Sequence, residues 1–523
     1  MSKKSVWHKR LTAALAAGAM LVTLPLAGCN QTNNEKSDDT SKASETVSET
    51  TESVPETKFG DGIVAQSKTY KIKYSVMEYL LNYMFANFYN NYGSDNSFDT
   101  SKDLKQQYYN ETEKTSWFDY FTQTTKNYLT QVMVFSEGAK ENGIKLSEED
   151  ESTLSSGFDM MASVAATSSM TVDEFIKKTY GTHVTKEDVE EIQKMTILAQ
   201  NYNNYLMDNF RYTDAQYEEF YENDKNKYRQ ADFLAYSFPY TADTTDEEKA
   251  KLKEYSDGLA NCKDEKEFKT YITNYLKDNR NLVSIPSESS ESSITEAEFN
   301  SAVDAQVNAA VNTAVAYNDT NDAYKWIFSE DRKVNDTLSI DVNNAYNAIM
   351  IIKPIYRDET STRDIRHILI TSETEGSDEA AKKKAESILQ EWQDGVSDED
   401  FFSELASKYT EDPGSKGSGG LYKNVKPGEM FAEFNDWMFD AKRKIGDTGI
   451  VKTTYGYHIM YYPGPGLKAW QVSVDEDARY KDLESKYEEM KTTYAIEFDD
   501  DAIANMTIKM PETSSTDTDS SEE

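Results

Sequence analysis

Three residues in the stretch 361–464 could act together: His367, Asp412 and His458. The chain has only four histidines, and His8 falls in a segment expected to be removed. His367 sits in Arg366-His367-Ile368-Leu369-Ile370, and His458 in Tyr455-Gly456-Tyr457-His458-Ile459-Met460. Both runs alternate β-branched or aromatic residues and read as strands. Between them, Asp412 lies in Tyr409-Thr410-Glu411-Asp412-Pro413-Gly414-Ser415-Lys416, on a loop that ends at Gly419-Gly420. An acid on a glycine-rich loop thus lies between two strand histidines. Metal chemistry fits less well, because no ligand pair has helical or hairpin metal spacing and no fourth ligand suggests itself. His183, between Thr182 and Val184 before a helix cap, has no such company.

The elements that must position these residues follow in order. A strand is predicted over 363–371, helices over 378–394 and 398–409, and a glycine-rich loop over 411–420. A short helix over 431–439 and strands over 448–453 and 457–463 complete the set. A small antiparallel sheet flanked by helices is an α+β layout. Order, spacing and flanking residues of the three strings resemble the parvulin-type peptidyl-prolyl isomerases.

That resemblance implies an activity that needs no cofactor. Rotation about an X–Pro bond is opposed by amide resonance, and the free interconversion takes tens of seconds or longer. By the family pattern, Asp412 takes a position held by Cys or Asp beside the substrate carbonyl. His367 and His458 form the paired-histidine network beneath it. Leu421, Met430 and Phe434 match the proline-pocket positions, and Tyr455 a fourth position at the rim. Many relatives have Gly-Gly-Asp-Leu-Gly where this chain has Gly419-Gly420-Leu421-Tyr422, a departure that bears on the shape of the loop.

The same framework occurs twice. Trp326, Phe328, Arg332, Lys333, Asp336, Thr337 and Tyr346 recur as Trp437, Phe439, Arg443, Lys444, Asp447, Thr448 and Tyr457, without a gap. Upstream, Arg229 to Tyr236 can be laid on Arg363 to Ile370, and Glu267-Phe268 on Asp400-Phe401. Residues 229–355 are therefore read as a degenerate parvulin-like domain, with Phe233 at the first histidine position and Asn347 at the second. A Ser/Glu-rich stretch (284–293) and a helical run from Thr295 to Val315 stand where the Pro-Gly-Ser-Lys loop would be.

The N-terminus reads as a secretion signal over residues 1–28. Lys3, Lys4, Lys9 and Arg10 precede an apolar run, Leu11 to Pro25, too short for a stable membrane span. Leu26-Ala27-Gly28-Cys29 resembles a bacterial lipobox, which implies cleavage before Cys29 and a lipid anchor on its sulfur. Residues 29–58 and 511–523 are rich in Ser, Thr, Glu and Asp, and are expected to be a solvated tether and tail. Cys262 is the other cysteine, so no disulfide within the mature chain is expected. Removing the four signal cations takes the formal charge from -37 to -41, which argues against nucleic acid and against adhesion to anionic lipid.

From 59 to 228 apolar and aromatic residues recur at helical spacing, with capping signals at Thr171, Thr185 and Thr213. This region resembles the N-terminal part of the SurA and PrsA families. Its tyrosines, Tyr79, Tyr83, Tyr108 and Tyr109 among them, suit either a helix core or a client-binding surface. Residues 465–510, with a helix from about Glu476 to Tyr494, are expected to pack back on this helical part.

The fold class is multidomain: a mostly α N-terminal region followed by two α+β parvulin-like domains. The expected protein is an extracytoplasmic, lipid-anchored foldase of the Gram-positive type, acting on unfolded exported proteins with X–Pro bonds. A homodimer is left open. The alternatives are a holdase without catalysis, and a solute-binding lipoprotein, which would need alternating strand–helix units.

Overall fold

A computed structural model describes residues 54–92, 98–285 and 294–510. The expected signal sequence, Cys29, most of the tether, much of the Ser/Glu-rich stretch and the acidic tail lie outside the described residues. The chain divides into two compact units, one comprising residues up to Arg211 together with Arg479 onward, the other Tyr212–Ala478. The helical region expected to end at 228 thus divides at 211, and residues 212–228 belong to the second unit.

In the first unit, a hairpin of β1 (Ile63–Gln66) and β2 (Lys71–Lys73) leads into α1 (Tyr74–Tyr92). A second hairpin, β3 (Tyr108–Asn110) and β4 (Thr115–Ser116), precedes α2 (Trp117–Glu141). Then come α3 (Glu148–Thr167), α4 (Val172–Tyr180) and α5 (Lys186–Asn209). Ser116, Ser147, Thr171 and Thr185 each close a capping box, satisfying two otherwise orphaned backbone donors. Each such cap contributes about 1 kcal/mol. Tyr79 and Tyr83 are buried in the core with Phe85, Phe121 and Phe135, whereas Tyr108 and Tyr109 are exposed. The C-terminal segment joins this core through Leu483, Tyr487 and Met490, and Glu497–Phe498 pairs with β1. The expected tether is shorter than 58: Thr57 is buried and the Lys58 N–H donates to Asp499.

The second unit opens with α6 (Asp214–Asn223) and then repeats one design twice. The first copy runs β5 (Gln230–Pro239), α7 (Asp246–Ala260), α8 (Glu265–Asp278), α9 (Glu296–Ala309), β6 (Val311–Ala316), α10 (Asp322–Ile327), β7 (Thr337–Val342) and β8 (Ala345–Tyr356). The second runs β9 (Ser361–Ile370), α11 (Asp378–Asp394), α12 (Glu399–Tyr409), β10 (Leu421–Val425), α13 (Ala432–Phe439), β11 (Thr448–Thr453) and β12 (Gly456–Lys468). Their sheets have the same order, β6-β5-β8-β7 and β10-β9-β12-β11. Helix α14 (Ala469–Tyr494) follows, starting before the expected Glu476 because Trp470 and Val474 pack on Tyr217 and Tyr221 of α6. Arg357, in the link between the copies, lies 4.0 Å from the Trp470 ring centroid and pairs with Glu218.

The shared residues are framework. Arg332 lies over Trp326 at 4.8 Å, and Arg443 over Trp437 at 3.7 Å. Asp336 accepts the Lys333 N–H and Asp447 the Lys444 N–H, both at 2.9 Å. A bulge is repeated as well. Asp232 accepts the Ala314 N–H at 2.7 Å, and Asp364 the Asn424 N–H at 2.8 Å. Ala314 and Asn424 are both left-handed, with φ of 52° and 56°.

These pairings correct three expectations. Ala235 lies opposite Ile349 and Ser237 opposite Asn347, as His367 lies opposite Met460 and Leu369 opposite His458. Ala235, two residues beyond Phe233, therefore holds the first histidine position. A two-residue slip keeps every side chain on its own face, so alternation alone does not reveal it. By its N-cap, Asp264 against Asp398, Phe268 corresponds to buried Phe402 and not to Phe401. The run expected to stay helical to Val315 stops at Ala309, and Val311–Ala316 becomes the edge strand matching β10.

Asn tolerates the left-handed conformation through its short polar side chain, whereas Ala incurs its full cost. Ala314→Gly is expected to stabilise the second unit by about 0.5–1 kcal/mol. Urea unfolding of the full chain measures this, and an unchanged or lowered midpoint contradicts it.

Candidate functional site

His367 is on inner strand β9 and His458 on its neighbour β12. Their antiparallel register makes them diagonal neighbours on one face of the sheet. Both are buried, and their Nδ1 atoms are 3.0 Å apart. On the far side of His458, Nε2 lies 2.8 Å from Thr453 Oγ1, which itself accepts the Tyr455 N–H at 3.2 Å. On the far side of His367, Nε2 lies 3.0 Å from Asp412 Oδ2.

One set of hydrogen-bond directions satisfies every member of this chain. Thr453 donates to His458 Nε2, His458 Nδ1–H donates to His367 Nδ1, and His367 Nε2–H donates to the carboxylate. The reverse assignment leaves a bare nitrogen facing an anion. Asp412 Oδ2 also accepts from Ser415 Oγ at 2.5 Å and from the Tyr422 hydroxyl at 2.9 Å. The His367 hydrogen bond, with those of Ser415 and Tyr422, outweighs desolvation and holds the Asp412 carboxyl well below the usual carboxylate range. Burial, with the adjacent His367, pushes the His458 imidazole down to about 4 against the pull of Asp412. The Tyr422 phenol is pushed up to about 12, by burial first and then by the carboxylate it donates to.

The loop carrying Asp412 is stitched to β9. The Glu411 N–H donates to Leu369 O at 2.9 Å, and the Leu369 N–H to Thr410 Oγ1 at 3.1 Å. Arg366, paired with Glu399 at 2.8 Å, donates to the carbonyls of Ser418 and Gly419. Gly420 must be glycine: its φ is 78°, and a Cβ there would lie 2.3 Å from the His367 carbonyl oxygen.

Residues 350–462 match the PPIC-type PPIase domain family. They form a parvulin domain. The chain is 32% identical over 109 residues to foldase protein PrsA 1 of Listeria innocua, covering 21% of this chain and 33% of that protein. It is 30% identical over 158 residues to the chaperone SurA of Pseudomonas putida, covering 30% of this chain and 35% of that one. The chain thus spans about a third of the length of these relatives. The crystal structure of peptidylprolyl isomerase (PrsA) from Bacillus anthracis aligns over 59% of this chain and 96% of its own, at 16% identity and a TM-score of 0.18. A score that low supports no inference.

Beside the network, the parvulin domain has an apolar cluster. Phe434 stands edge-on to both imidazoles, at 5.5 and 5.4 Å, backed by Met438, Val451 and Met460, with half-buried Met430 in the same cluster. Leu421 is not part of it. It pairs with Arg366, the neighbour of His367 in β9, and so lies on the opposite face of the sheet. Tyr422 pairs with Ile365, packs against this cluster and brings its ring 5.5 Å from His367. Tyr422, and not Leu421 as expected, therefore lies on the histidine face of the sheet. Tyr455 is exposed at the β11–β12 turn.

Sequence reasoning named Ser415, Thr453 and Tyr422 only as members of strings or strands, and gave them no role. Ser415 follows Asp412 by three residues and is fully buried, and that spacing was its one visible signal. His183 pairs with buried Glu78 in the first unit. Among the described residues, no three His, Cys, Asp or Glu side chains are grouped to hold a metal.

The two low pKa values act in consecutive windows. His458 stays neutral when folded but takes a proton near pH 6.5 when unfolded, so its contribution is complete above 6.5 and lost as pH falls towards about 4. Asp412 contributes above its unfolded value near 4 and loses that contribution only at lower pH. Between pH 7 and 4.5, wild type should lose on the order of 2 kcal/mol more unfolding free energy than His458→Gln. Equal losses in urea titrations would show that His458 is not buried neutral.

Proposed function

We propose that this chain is a foldase that catalyses cis/trans isomerisation of X–Pro bonds in unfolded exported proteins. The observation that carries this is a charged carboxylate, fixed by three donors on Oδ2, beside an apolar cluster. Oδ1 accepts the Gly414 N–H at a long 3.3 Å, so its lone pairs stay largely available to face a substrate. The cluster of Met430, Phe434 and Tyr422 suits a proline ring, with Tyr455 at its rim. Amide resonance loads negative charge on the carbonyl oxygen and makes a barrier of about 18–20 kcal/mol. A fixed anion beside that oxygen disfavours the planar form and leaves the twisted one relatively better bound.

His367 and His458 are positioning residues in this reading. Buried in the sheet, they orient Asp412 and keep it ionised, and neither attacks the substrate. The first copy, with Ala235 and Asn347 at their positions, serves as framework or as a client contact without isomerase activity. The names of the PrsA and SurA relatives support a foldase or chaperone role. A proline-peptide assay on the full chain tests the catalytic claim. Asp412→Ala should lower kcat/KM by about 10–100-fold, and Tyr422→Phe by several-fold. Equal rates in wild type and Asp412→Ala would reduce the domain to a binding module.

The lipobox-like Leu26-Ala27-Gly28-Cys29 supports anchoring through lipidated Cys29, which holds the foldase on the outer face of the membrane. Among the described residues, no helix is long and apolar enough to cross a membrane. Cys29→Ser should move the expressed protein from the membrane pellet to the soluble fraction. Retention in the pellet would refute the anchor.

A further inference from the structure

Beyond α14 the chain is first tied down and then laid across a surface. Glu497–Phe498 pairs with β1, the Asp499 N–H donates to Val64 O at 2.8 Å, and Asp499 caps α15 (Asp500–Ala504). Asp500 pairs with Lys126 at 2.6 Å, and Lys105 donates to Ala504 O at 2.8 Å. Residues 506–510 then lie in no helix or strand. Their side chains alternate as in an extended peptide. Met506 is fully buried, Ile508 and Met510 are half-buried against the core of the first unit, and Thr507 and Lys509 are exposed.

The contacts that hold this strap are those of peptide recognition. The Lys509 backbone N–H donates to Asn82 Oδ1 of α1 at 2.7 Å. Asn82 is buried and oriented, because its amide donates to Tyr180 O at 2.9 Å and to Glu78 O at 3.0 Å. The Lys509 ammonium donates to the carbonyls of Lys177 and Lys178 in the last turn of α4, the negative end of the helix dipole. Its charge also acts on Glu78, buried in α1. An apolar surface, an acceptor for one backbone N–H and a negative helix end for one cation together recognise an extended segment by its pattern.

We infer that this face of α1 and α4 binds extended segments of unfolded clients, and that residues 506–510 cover it as a displaceable stand-in. This rests on the reading of the chain as a foldase. The segment it takes has apolar side chains at every second position and a Lys or Arg between them, as Met506, Ile508, Met510 and Lys509 present. An acidic residue at the place of Lys509 would meet the helix carbonyls and Glu78, and be repelled. A strap without regular structure, with alternate side chains in water, opens locally while the core stays folded, as exchange with a client requires.

The probe is a fluorescein-labelled peptide of residues 504–510, which has no proline and so does not report on the prolyl site. Its Kd is read by anisotropy for the wild-type chain, for a chain ending at Asn505, and for a full chain with Ile508→Ser and Lys509→Glu. Both altered chains should bind it about tenfold or more tightly than wild type, since the strap no longer competes. Lys509→Glu in the peptide should weaken that binding about fivefold or more, as should Asn82→Ala in the chain ending at Asn505. Equal Kd values for wild type and both altered chains, or for the peptide and its Lys509→Glu form, overturn the inference. So does a wild-type dimer in sedimentation that the chain ending at Asn505 loses, because the strap then serves a second copy. If the shortened chain loses its helical circular dichroism, the full-length variant, with and without Asn82→Ala, decides by the same criteria. Absence of proline-peptide turnover in wild type would defeat the foldase reading, whereas these Kd values judge the surface independently.

Discussion

A carboxylate buried to more than four-fifths keeps its charge only if donors replace the water it has lost. Asp412 obtains three on one oxygen, and one of them arrives through two buried imidazoles from Thr453 on β11. Everything around the site serves that line. The register of β9 against β12 sets the histidines diagonally, Arg366 holds the Ser418–Gly419 turn, and Gly420 lets the loop touch the His367 carbonyl. Removing a member leaves an unpaired polar group in a dry place, which costs more than the hydrogen bond is worth.

The first copy shows what the same framework does without that line. It keeps the strand order, the paired Arg and Trp, the aspartate turn and the bulge. At the first histidine position stands Ala235, and at the second Asn347, whose amide turns to the carbonyls of Val342 and Ala345. The sheet closes equally well with either set. The histidines are therefore not a requirement of the fold, and their burial beside an ionised acid belongs to the site.

Much of the second copy was legible because its elements are strongly periodic and its motifs local. The two helices after β9, the short helix and the closing strands fall close to where pattern alone puts them. What escaped was short or depended on register. β10 has five residues behind two glycines and carries no pattern of its own. Leu421 and Tyr422 are adjacent, and a strand sends adjacent side chains to opposite faces, so one unseen strand reversed which of them faces the histidines. Phe233 and Ala235 are two apart, and a strand sends both to the same face, so their order stayed hidden.

The sequence by itself determined the kind of chemistry: two histidines and an acid in fixed order, a duplicated framework, and helices announced by their caps. These are properties of residue type and spacing along one segment. Only the tertiary structure decided which atoms meet. Ser415, Tyr422 and Thr453 reach the acid and the histidines through a loop, a bulged edge strand and a third strand. The direction of each side chain there depends on pairing between segments far apart in the chain, which no local pattern encodes.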